Sequence, residues 1–269
     1  MYLSHYNLKL KPFQESPDPR FFWLSEKHRE ALACLKYGIQ ENKAFLLLNG
    51  DIGTGKTSLI NYLLLDIGKE IQVAIIPDPD LSILDFFKLI SRQFNINIDF
   101  NTKGDFLNQF EPFLYNIFSE QKKALLIIDE AQRLTQEVLE QIRLLSNIEK
   151  KDVKLINIFF VGQNEILQII KDEKNKALRQ RLTVHYTIEP LKENETQAYI
   201  NHRLKVAGAT TGIFSPEAVH EVFLFSKGYP RLINIICDRA LLTGYVAGTK
   251  KITGAVIKNC ADDLRILVD

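Results

Sequence analysis

The stretch Gly50-Asp51-Ile52-Gly53-Thr54-Gly55-Lys56-Thr57 is the basis for the fold and the chemistry that we expect of this chain. It fits the phosphate-binding pattern G-x-x-x-x-G-K-[ST] and follows an apolar run, residues 44–48, that is typical of a buried strand. Glycines let the backbone turn its N–H groups inward, where they form a nest for an anion. Residues 58–66 then predict a helix whose positive end faces that anion. The sequence therefore predicts that this loop binds a nucleoside triphosphate.

Individual residues of the loop have different expected roles in nucleotide binding. The Lys56 ammonium is a mobile cation for the phosphates, and the Thr57 hydroxyl is a ligand for Mg²⁺. The predicted nucleotide-binding residues of the loop are Gly50, Asp51, Ile52, Gly53, Thr54, Gly55, Lys56, Thr57 and Ser58. The predicted ligands are accordingly ATP and Mg²⁺.

A second apolar run, Ala124-Leu125-Leu126-Ile127-Ile128, ends in the carboxylates Asp129 and Glu130. Such a run is too apolar for a half-exposed strand and predicts a central parallel strand that is covered on both faces. Because ligands of open α/β sheets bind outside the carboxyl ends of the strands, we expect Asp129 to hold Mg²⁺ together with Thr57. Glu130 is then placed to polarise an attacking water, which predicts hydrolysis. An exposed acidic turn at the end of a strand is the structural alternative.

A third apolar run, residues 155–161, leads into Gly162-Gln163-Asn164-Glu165. A polar side chain at the tip of this strand is expected beside the two carboxylates, where it orients the water or the γ-phosphate. Gln163 is the first candidate for this sensor and Asn164 the second. A turn that caps the next helix is the alternative interpretation.

The composition describes an ordinary folded protein of 269 residues, with 34 Lys and Arg against 33 Asp and Glu. This balance gives no global basic field for nucleic acid, although it does not exclude a local DNA-binding patch. The three scattered cysteines predict free thiols in a reducing compartment. The first eleven residues lack the apolar core of a signal peptide, and no apolar stretch reaches membrane-spanning length, so the expected location is cytoplasmic.

The order of the apolar runs predicts an α/β domain followed by an all-helical one. Strands are expected at residues 44–48, 71–76, 124–128, 155–162 and 184–188, and helices at 26–41, 58–66, 81–94, 106–120, 136–149, 193–207, 216–226, 230–247 and 253–264. The strand signal disappears near Leu191, which marks a domain boundary. We therefore predict an N-terminal arm (1–24), a nucleotide-binding domain (25–191) with a five-stranded parallel sheet flanked by helices, and a small helical lid domain (192–269).

These features together resemble those of the AAA+ ATPases, P-loop NTPases of the additional-strand type, in which another strand lies between the phosphate-loop strand and the acidic strand. Within that class the chain resembles the ExeA/GspA group, ATPases associated with type II secretion. The resemblance covers essentially the whole chain, and these segments carry it: Lys11-Pro12-Phe13, Asp18-Pro19-Arg20-Phe21, His28-Arg29-Glu30-Ala31-Leu32, Tyr37-Gly38-Ile39, Asp129-Glu130-Ala131-Gln132, Phe160-Val161-Gly162-Gln163 and Gly228-Tyr229-Pro230-Arg231-Leu232-Ile233-Asn234.

The resemblance implies roles for three arginines. Arg179 and Arg181 precede the last strand, where AAA+ proteins carry the arginine finger that a neighbouring subunit contributes; Arg181 is the preferred candidate. A solvated basic helix end is the alternative. Arg231 stands where the second sensor of the family touches the nucleotide, and a plain helix start is the alternative there. An arginine finger implies a homo-oligomer, in the form of a ring. The aromatic arm around Phe22 and Trp23 is expected either to cover the adenine or to belong to the core.

The resemblance also sets the alternatives for the biological role. ExeA-like proteins continue into a transmembrane helix and a periplasmic region, so we expect either the cytoplasmic part of a longer membrane protein or a stand-alone relative. A secretion-system component is the expected protein partner. The same core is similar to DNA-binding transposition regulators of the TnsC/TniB group, for which Lys103, Lys150, Lys151 and Lys154 are a thin basic track. A nucleotide switch without hydrolysis is a further alternative, against which Glu130 argues.

Overall fold

The computed structural model describes residues 1–15, 18–96 and 99–265. Residues 16–17 of the predicted arm and 266–269 of the predicted lid domain lie outside this description. The helices are α1 (Tyr2–His5), α2 (Glu26–Gln40), α3 (Lys56–Asp66), α4 (Ile83–Gln93), α5 (Lys103–Ser119), α6 (Gln136–Leu145), α7 (Ile166–Lys171), α8 (Lys176–Arg181), α9 (Glu193–Val206), α10 (Pro216–Ser226), α11 (Pro230–Val246) and α12 (Gly254–Arg265). The strands are β1 (Phe45–Gly50), β2 (Ile71–Ile76), β3 (Lys123–Ile128), β4 (Glu149–Lys150), β5 (Val153–Lys154), β6 (Ile156–Gly162) and β7 (Leu182–Ile188).

Five of these strands form a parallel sheet in the order β2-β3-β6-β1-β7. Strand β6 lies between the phosphate-loop strand β1 and the acidic strand β3, which confirms the additional-strand arrangement. The carboxyl ends of β1, β3 and β6 therefore come to one edge of the sheet, as parallel strands require.

The three central strands are apolar because both of their faces are covered. Every residue of β1 and β6 is buried, and in β3 only the first residue, Lys123, is partly exposed. The rings of Phe45 and Phe160, on neighbouring strands, stack at 5.6 Å between centroids. Helices α4 and α5 add a phenylalanine cluster to the same core, in which Phe87 and Phe106 stack at 4.3 Å. This close packing fixes the positions of the strands relative to one another.

The chain forms two compact units. The sheet unit comprises His28–Asp51 and Leu63–Ile188, and the helical unit comprises Met1–Lys27, Ile52–Tyr62 and Glu189–Asp269. The sequence-based boundaries at residues 24 and 191 stay a prediction. Within the described residues, no helix has both the length and the apolar character to cross a membrane.

In the helical unit, the N-terminal segment packs against the C-terminal helices. Phe13 and Phe21 are both 2% exposed within a core that residues of α9, α10, α11 and α12 complete. The buried Arg203 fixes this segment, because its guanidinium donates to the carbonyl oxygens of Pro12 (2.5 Å) and Gln14 (3.1 Å) and lies over the ring of Phe21. The aromatic residues of the arm thus form part of a folded core.

Two regions differ from the sequence-based prediction. Helix α6 ends at Leu145 instead of Glu149, and the hairpin β4–β5 follows it. Lys151 and Asp152 form the turn of this hairpin with φ of 49° and 66°, values that glycine or asparagine usually supplies, so the turn gave no sequence signal. The short helices α7 and α8 were likewise not predicted, because two turns of helix carry little periodicity. The predicted free thiols are confirmed for Cys34, Cys237 and Cys260.

Candidate functional site

The phosphate-type loop runs from the end of β1 into α3, which begins at Lys56. Gly53 and Gly55 have φ of +79° and +97°, in the left-handed region that favours glycine. Thr54 and Lys56 are 1% and 8% exposed, so the loop is tightly built and its lysine is ordered. Left-handed glycines ahead of a helix start are the geometry of an anion nest, and this part of the chain therefore fits a polyphosphate.

Within the helical unit, Arg231 lies against this loop. Its backbone N–H donates to the carbonyl oxygen of Gly53 at 3.3 Å. A Cβ at position 53 would lie 2.8 Å from the Cβ of Arg231, so the close approach requires glycine. Pro230 opens helix α11 immediately before Arg231, as the sequence suggested. The predicted second sensor is therefore adjacent to the loop, while its role towards a nucleotide stays a prediction.

In the sheet unit, Asp129 and Glu130 directly follow β3. The backbone N–H of Asp129 donates to the carbonyl oxygen of Ile76 at 2.9 Å, which extends the pairing of β3 with β2 by one residue. Glu130 has φ +50° and ψ +37°, a left-handed conformation that costs energy for any residue with a side chain. Strain of this kind concentrates at functional sites, where the surrounding structure maintains it.

Two amide side chains contact the carboxylate of Glu130. Gln132 Nε2 donates to Glu130 Oε2 at 2.6 Å, and Gln163 Nε2 lies 3.4 Å from the same oxygen. The backbone N–H of Gln163 in turn donates to Gln132 Oε1 at 2.9 Å. The structure thus brings together the predicted base Glu130 and the predicted sensor Gln163, and it adds Gln132, which the sequence analysis did not single out.

The second sensor candidate, Asn164, belongs to a different set of contacts in the sheet unit. Its Nδ2 donates to Asp51 Oδ1 at 2.5 Å, and its Oδ1 accepts from Asn49 Nδ2 at 2.5 Å. Asn49 is fully buried in the central strand β1. A polar residue inside an apolar strand was the available sequence signal for this contact, because a buried amide requires partners. Gln163 therefore faces the carboxylate of Glu130, while Asn164 faces the beginning of the phosphate-type loop.

The amide oxygen of Asn49 has two more neighbours on β7. Thr187 Oγ1 donates to it at 2.9 Å, and His185 Nε2 lies 2.7 Å from it. Since Asn49 Nδ2 already donates to Asn164, its Oδ1 accepts here and His185 Nε2 carries the proton. Burial lowers the pKa of His185, because desolvation disfavours the charged imidazolium.

The two finger candidates have different surroundings. Arg179 Nη1 donates to the carbonyl oxygens of Lys171 (2.7 Å) and Ile170 (3.4 Å), in the last turn of α7, and its Nη2 contacts Glu173. These bonds satisfy the open carbonyls of a helix end and give Arg179 a structural task. Among the residues that the structure describes, Arg181 makes hydrogen bonds only through Nη1, which donates to Asn147 Oδ1 and Ser146 Oγ.

The arm residue Phe22 packs inside the helical unit. Its ring lies 5.3 Å from the ring of Tyr62 on α3, at a tilt of 41°. This contact supports the interpretation of Phe22 as a packing residue at the helix that follows the loop. A role in adenine recognition stays a prediction.

Comparison with known proteins agrees with this architecture. A family model described as an AAA domain matches residues 39–170. The chain is 38% identical over 253 residues to general secretion pathway protein A of Aeromonas hydrophila. This alignment covers 94% of this chain and 46% of that protein. The chain thus spans about half the length of the curated relative that it matches.

Solved structures show the same fold at low sequence identity. The chain is similar to the ORC2 protein of Aeropyrum pernix in its ADPNP–ADP complexes, with a TM-score of 0.69, 17% identity, and coverage of 94% of this chain and 71% of the other. It is also similar to Drosophila ORC bound to DNA, with a TM-score of 0.71, 15% identity, and coverage of 100% and 66%. At such identities the likeness describes the fold alone. The matching AAA domain, the additional-strand sheet and the secretion-pathway relative agree with one another: residues 39–170 match an AAA domain, the sheet has the order of a P-loop NTPase, and the chain is similar to general secretion pathway protein A.

Proposed function

We propose that this chain hydrolyses ATP to ADP and phosphate. The observation that carries this proposal is the carboxylate of Glu130, which a left-handed turn presents at the end of the buried strand β3 and which amide groups hold by one oxygen. A purely structural acidic turn does not need a carboxylate that two amide groups hold in one direction. The AAA-domain match supports nucleotide binding, and Glu130 adds the group that activates water.

The loop residues bind and orient the phosphates. Backbone N–H groups around Gly53 and Gly55 surround the chain of phosphates, and Lys56 neutralises charge between the β- and γ-phosphates. Thr57 and Asp129 are the proposed ligands of Mg²⁺, which when bound neutralises the charge that develops on the phosphoryl oxygens. Arg231 reports whether the γ-phosphate is present.

Glu130 performs the proton transfer of the reaction. Its carboxylate accepts a proton from water as the water oxygen forms its bond to the γ-phosphorus. The bond between the γ-phosphorus and the bridging oxygen breaks, and that oxygen leaves with ADP. Gln163 lies close enough to Glu130 to orient the same water from the neighbouring strand.

We further propose that the active form is a homo-oligomer in which Arg181 serves the active site of a neighbour. Its guanidinium retains Nε and Nη2 for such a contact, since only Nη1 is engaged among the described residues. The 38% identity to general secretion pathway protein A supports assembly of a secretion machine as the work that hydrolysis drives. We also propose a location in the cytoplasm or at its membrane boundary, which the same relationship supports.

The hairpin β4–β5 is the specific feature that favours the DNA-associated alternative. It carries Lys150 and Lys154 on its two strands and Lys151 in its turn. However, Lys154 pairs with Glu149, and the Lys150 ammonium lies 5.5 Å from the centre of the Tyr115 ring. Because intramolecular partners already engage these two cations, we favour a protein partner over the phosphate backbone of DNA.

Phosphate release and nucleotide binding, measured on purified protein, test the proposed function. We expect Glu130→Gln to retain ATP and to lose at least about a hundredfold in turnover, as removal of a general base does. Lys56→Ala should lose ATP binding, whereas Lys69→Ala, at an exposed position near the end of α3, is the control and should behave like the wild type. Unchanged turnover in Glu130→Gln would refute the assignment of the base, and no turnover in the wild type, even at high protein concentration, would favour a switch without hydrolysis.

A further inference from the structure

We propose that Gln132 is the positioning residue that selects which oxygen of Glu130 receives the proton of the attacking water. This inference rests on the proposed function of Glu130 as the base. Gln132 Nε2 and Gln163 Nε2 both approach Oε2, at 2.6 Å and 3.4 Å. Oε1 of Glu130 has no donor among the residues that the structure describes. Oε1 is therefore the oxygen that acts on water, and Oε2 is the oxygen by which the carboxylate is held.

The backbone fixes the orientation of the Gln132 amide. The N–H of Gln163 donates to Gln132 Oε1 at 2.9 Å, and a backbone N–H cannot accept a hydrogen bond. A flipped amide would place two donors against each other there and two acceptors against each other at Glu130. The tip of β6 thus determines that Gln132 presents its Nε2 donors to the carboxylate.

Gly162 provides the space that this contact needs. A Cβ at position 162 would lie 2.8 Å from Gln132 Oε1 and 3.3 Å from the backbone nitrogens of Ala131 and Gln132. Gly162 is the last residue of β6 and does not have a positive φ, so its small size and not its flexibility matters here. The missing side chain at position 162 therefore leaves the space that the amide of Gln132 occupies.

The turn that carries Glu130 explains why its carboxylate needs a hydrogen bond from the side chain of Gln132. A residue in the left-handed region lacks the support of a regular helix or strand, and a carboxylate there that is only partly buried can adopt several rotamers. One short hydrogen bond from an amide whose own orientation is fixed restricts the carboxylate to a single direction. A loss of alignment of about 1 Å costs up to about a hundredfold in rate.

The first test replaces the amide with an apolar group of similar length. In Gln132→Met we expect kcat for phosphate release to fall by about ten- to a hundredfold, with KM and ATP affinity unchanged, because the ground-state phosphate contacts are intact. Gln40→Met, at the exposed end of α2, is the matched control and should leave kcat unchanged. Unchanged kcat in Gln132→Met would overturn the proposal.

A double-mutant cycle separates positioning from a general structural effect. If Gln132 acts through Glu130, Gln132→Met should cause no further loss when it is added to Glu130→Gln. Equal losses in both backgrounds would refute a positioning role. This outcome differs from failure of the proposed function itself, which would appear as normal turnover of Glu130→Gln alone.

A second variant keeps the test decisive if Gln132→Met fails to fold. Gln132→Glu retains an oxygen for the Gln163 N–H and replaces the donor that faces Glu130 with a second oxygen. We expect a larger loss of kcat than in Gln132→Met, because two carboxylates repel each other at this distance. Wild-type kcat in a folded Gln132→Glu would overturn the proposal, since no donor would then be required.

Discussion

Gly53 of the phosphate-type loop and Arg231 of helix α11 are in direct backbone contact. The carbonyl oxygen of Gly53 accepts the N–H of Arg231 at 3.3 Å, and the two residues approach so closely that position 53 has no room for a Cβ. Helix α11 therefore begins on the loop itself. In our proposal, a shift of this loop on phosphate binding would reach the helix through this hydrogen bond, and α11 would be the element through which the helical unit senses the ligand.

This relationship predicts a strong effect of Gly53→Ala. The substitution adds the cost of a left-handed alanine, about 1–2 kcal/mol, to that of a forced contact, about 1–3 kcal/mol. We expect the free energy of unfolding to fall by about 2–5 kcal/mol and ATP affinity to fall at least tenfold, measured by denaturant titration and by calorimetry.

Two glycines serve as controls for Gly53→Ala. Gly248 has φ of +68° with no atom near a Cβ, so Gly248→Ala should show the backbone cost alone, about 1–2 kcal/mol. Gly212 has open space and no positive φ, so Gly212→Ala should change stability by about 0.5 kcal/mol or less. If Gly53→Ala is no more destabilising than Gly248→Ala, the close approach of Arg231 does not constrain the loop.

The side chain of Arg231 is predicted to discriminate ATP from ADP. Arg231→Ala keeps the backbone N–H that bonds to Gly53 and removes only the guanidinium. A charge-assisted hydrogen bond to the γ-phosphate contributes about 1.5–3 kcal/mol, so ATP affinity should fall about ten- to a hundredfold while ADP affinity stays constant. Arg239→Ala on the same helix, where Arg239 pairs with Asp263, is the control. Equal losses for ATP and ADP would contradict a γ-phosphate sensor.

The sequence was sufficient for the parts of the structure that depend on local patterns. The apolar runs that become β1, β3 and β6 are continuous because these strands are buried on both faces, and the polar residues at their ends mark the functional edge. The conformation of the Gly53–Gly55 loop could be predicted because it requires particular residue types at fixed spacing.

Contacts between segments that are distant in the sequence could not be predicted from local sequence patterns. The bond between Gln132 and the backbone of Gln163 depends on the packing of β6 beside β3, which places residues 31 positions apart in contact. The two finger candidates illustrate the same limit, because Arg179 contacts the end of α7, a helix that the sequence did not predict, whereas Arg181 contacts Asn147 and Ser146.

His185 predicts a pH dependence of stability in the sheet unit. Because burial lowers its pKa below the ordinary value of 6.5, the unfolded chain binds this proton more readily than the folded one. The contribution of the neutral ring to stability is complete above pH 6.5 and is lost as the pH falls through the lowered pKa of the folded state. The free energy of unfolding should therefore decrease between about pH 7 and pH 5.

His185→Gln should reduce this decrease, because glutamine can still donate to Asn49 but does not titrate. Burial also lowers the pKa of His202 in the helical unit. His202→Gln should therefore remove a separate part of the decrease in the free energy of unfolding, and the double variant should show the sum of the two reductions. The measurement is denaturant unfolding at several pH values. An unaltered slope in His185→Gln would show that protonation of this ring does not limit stability.

Arg179→Ala and Arg181→Ala should give opposite patterns of stability and activity. Arg179 bonds to the carbonyl groups that end α7, so its removal should cost about 1–2 kcal/mol of stability. Arg181→Ala should leave the melting temperature nearly unchanged, because its contact with Asn147 is exposed and the buried Ser146 hydroxyl keeps its hydrogen bond to the carbonyl oxygen of Arg143. Its turnover should fall about a thousandfold or more, the loss typical of an absent arginine finger.

Mixing two inactive variants tests whether Arg181 acts on a neighbouring subunit. Arg181→Ala retains Glu130, and Glu130→Gln retains Arg181, so a mixed oligomer contains interfaces at which an intact Glu130 meets an intact Arg181. Phosphate release should therefore reappear on mixing and reach a maximum near equal proportions, as random assembly of two subunit types requires. Arg179→Ala is the control, because a residue that only stabilises α7 should retain turnover below its melting temperature. If the mixture stays as inactive as its components while native mass spectrometry shows mixed oligomers, Arg181 does not act in trans.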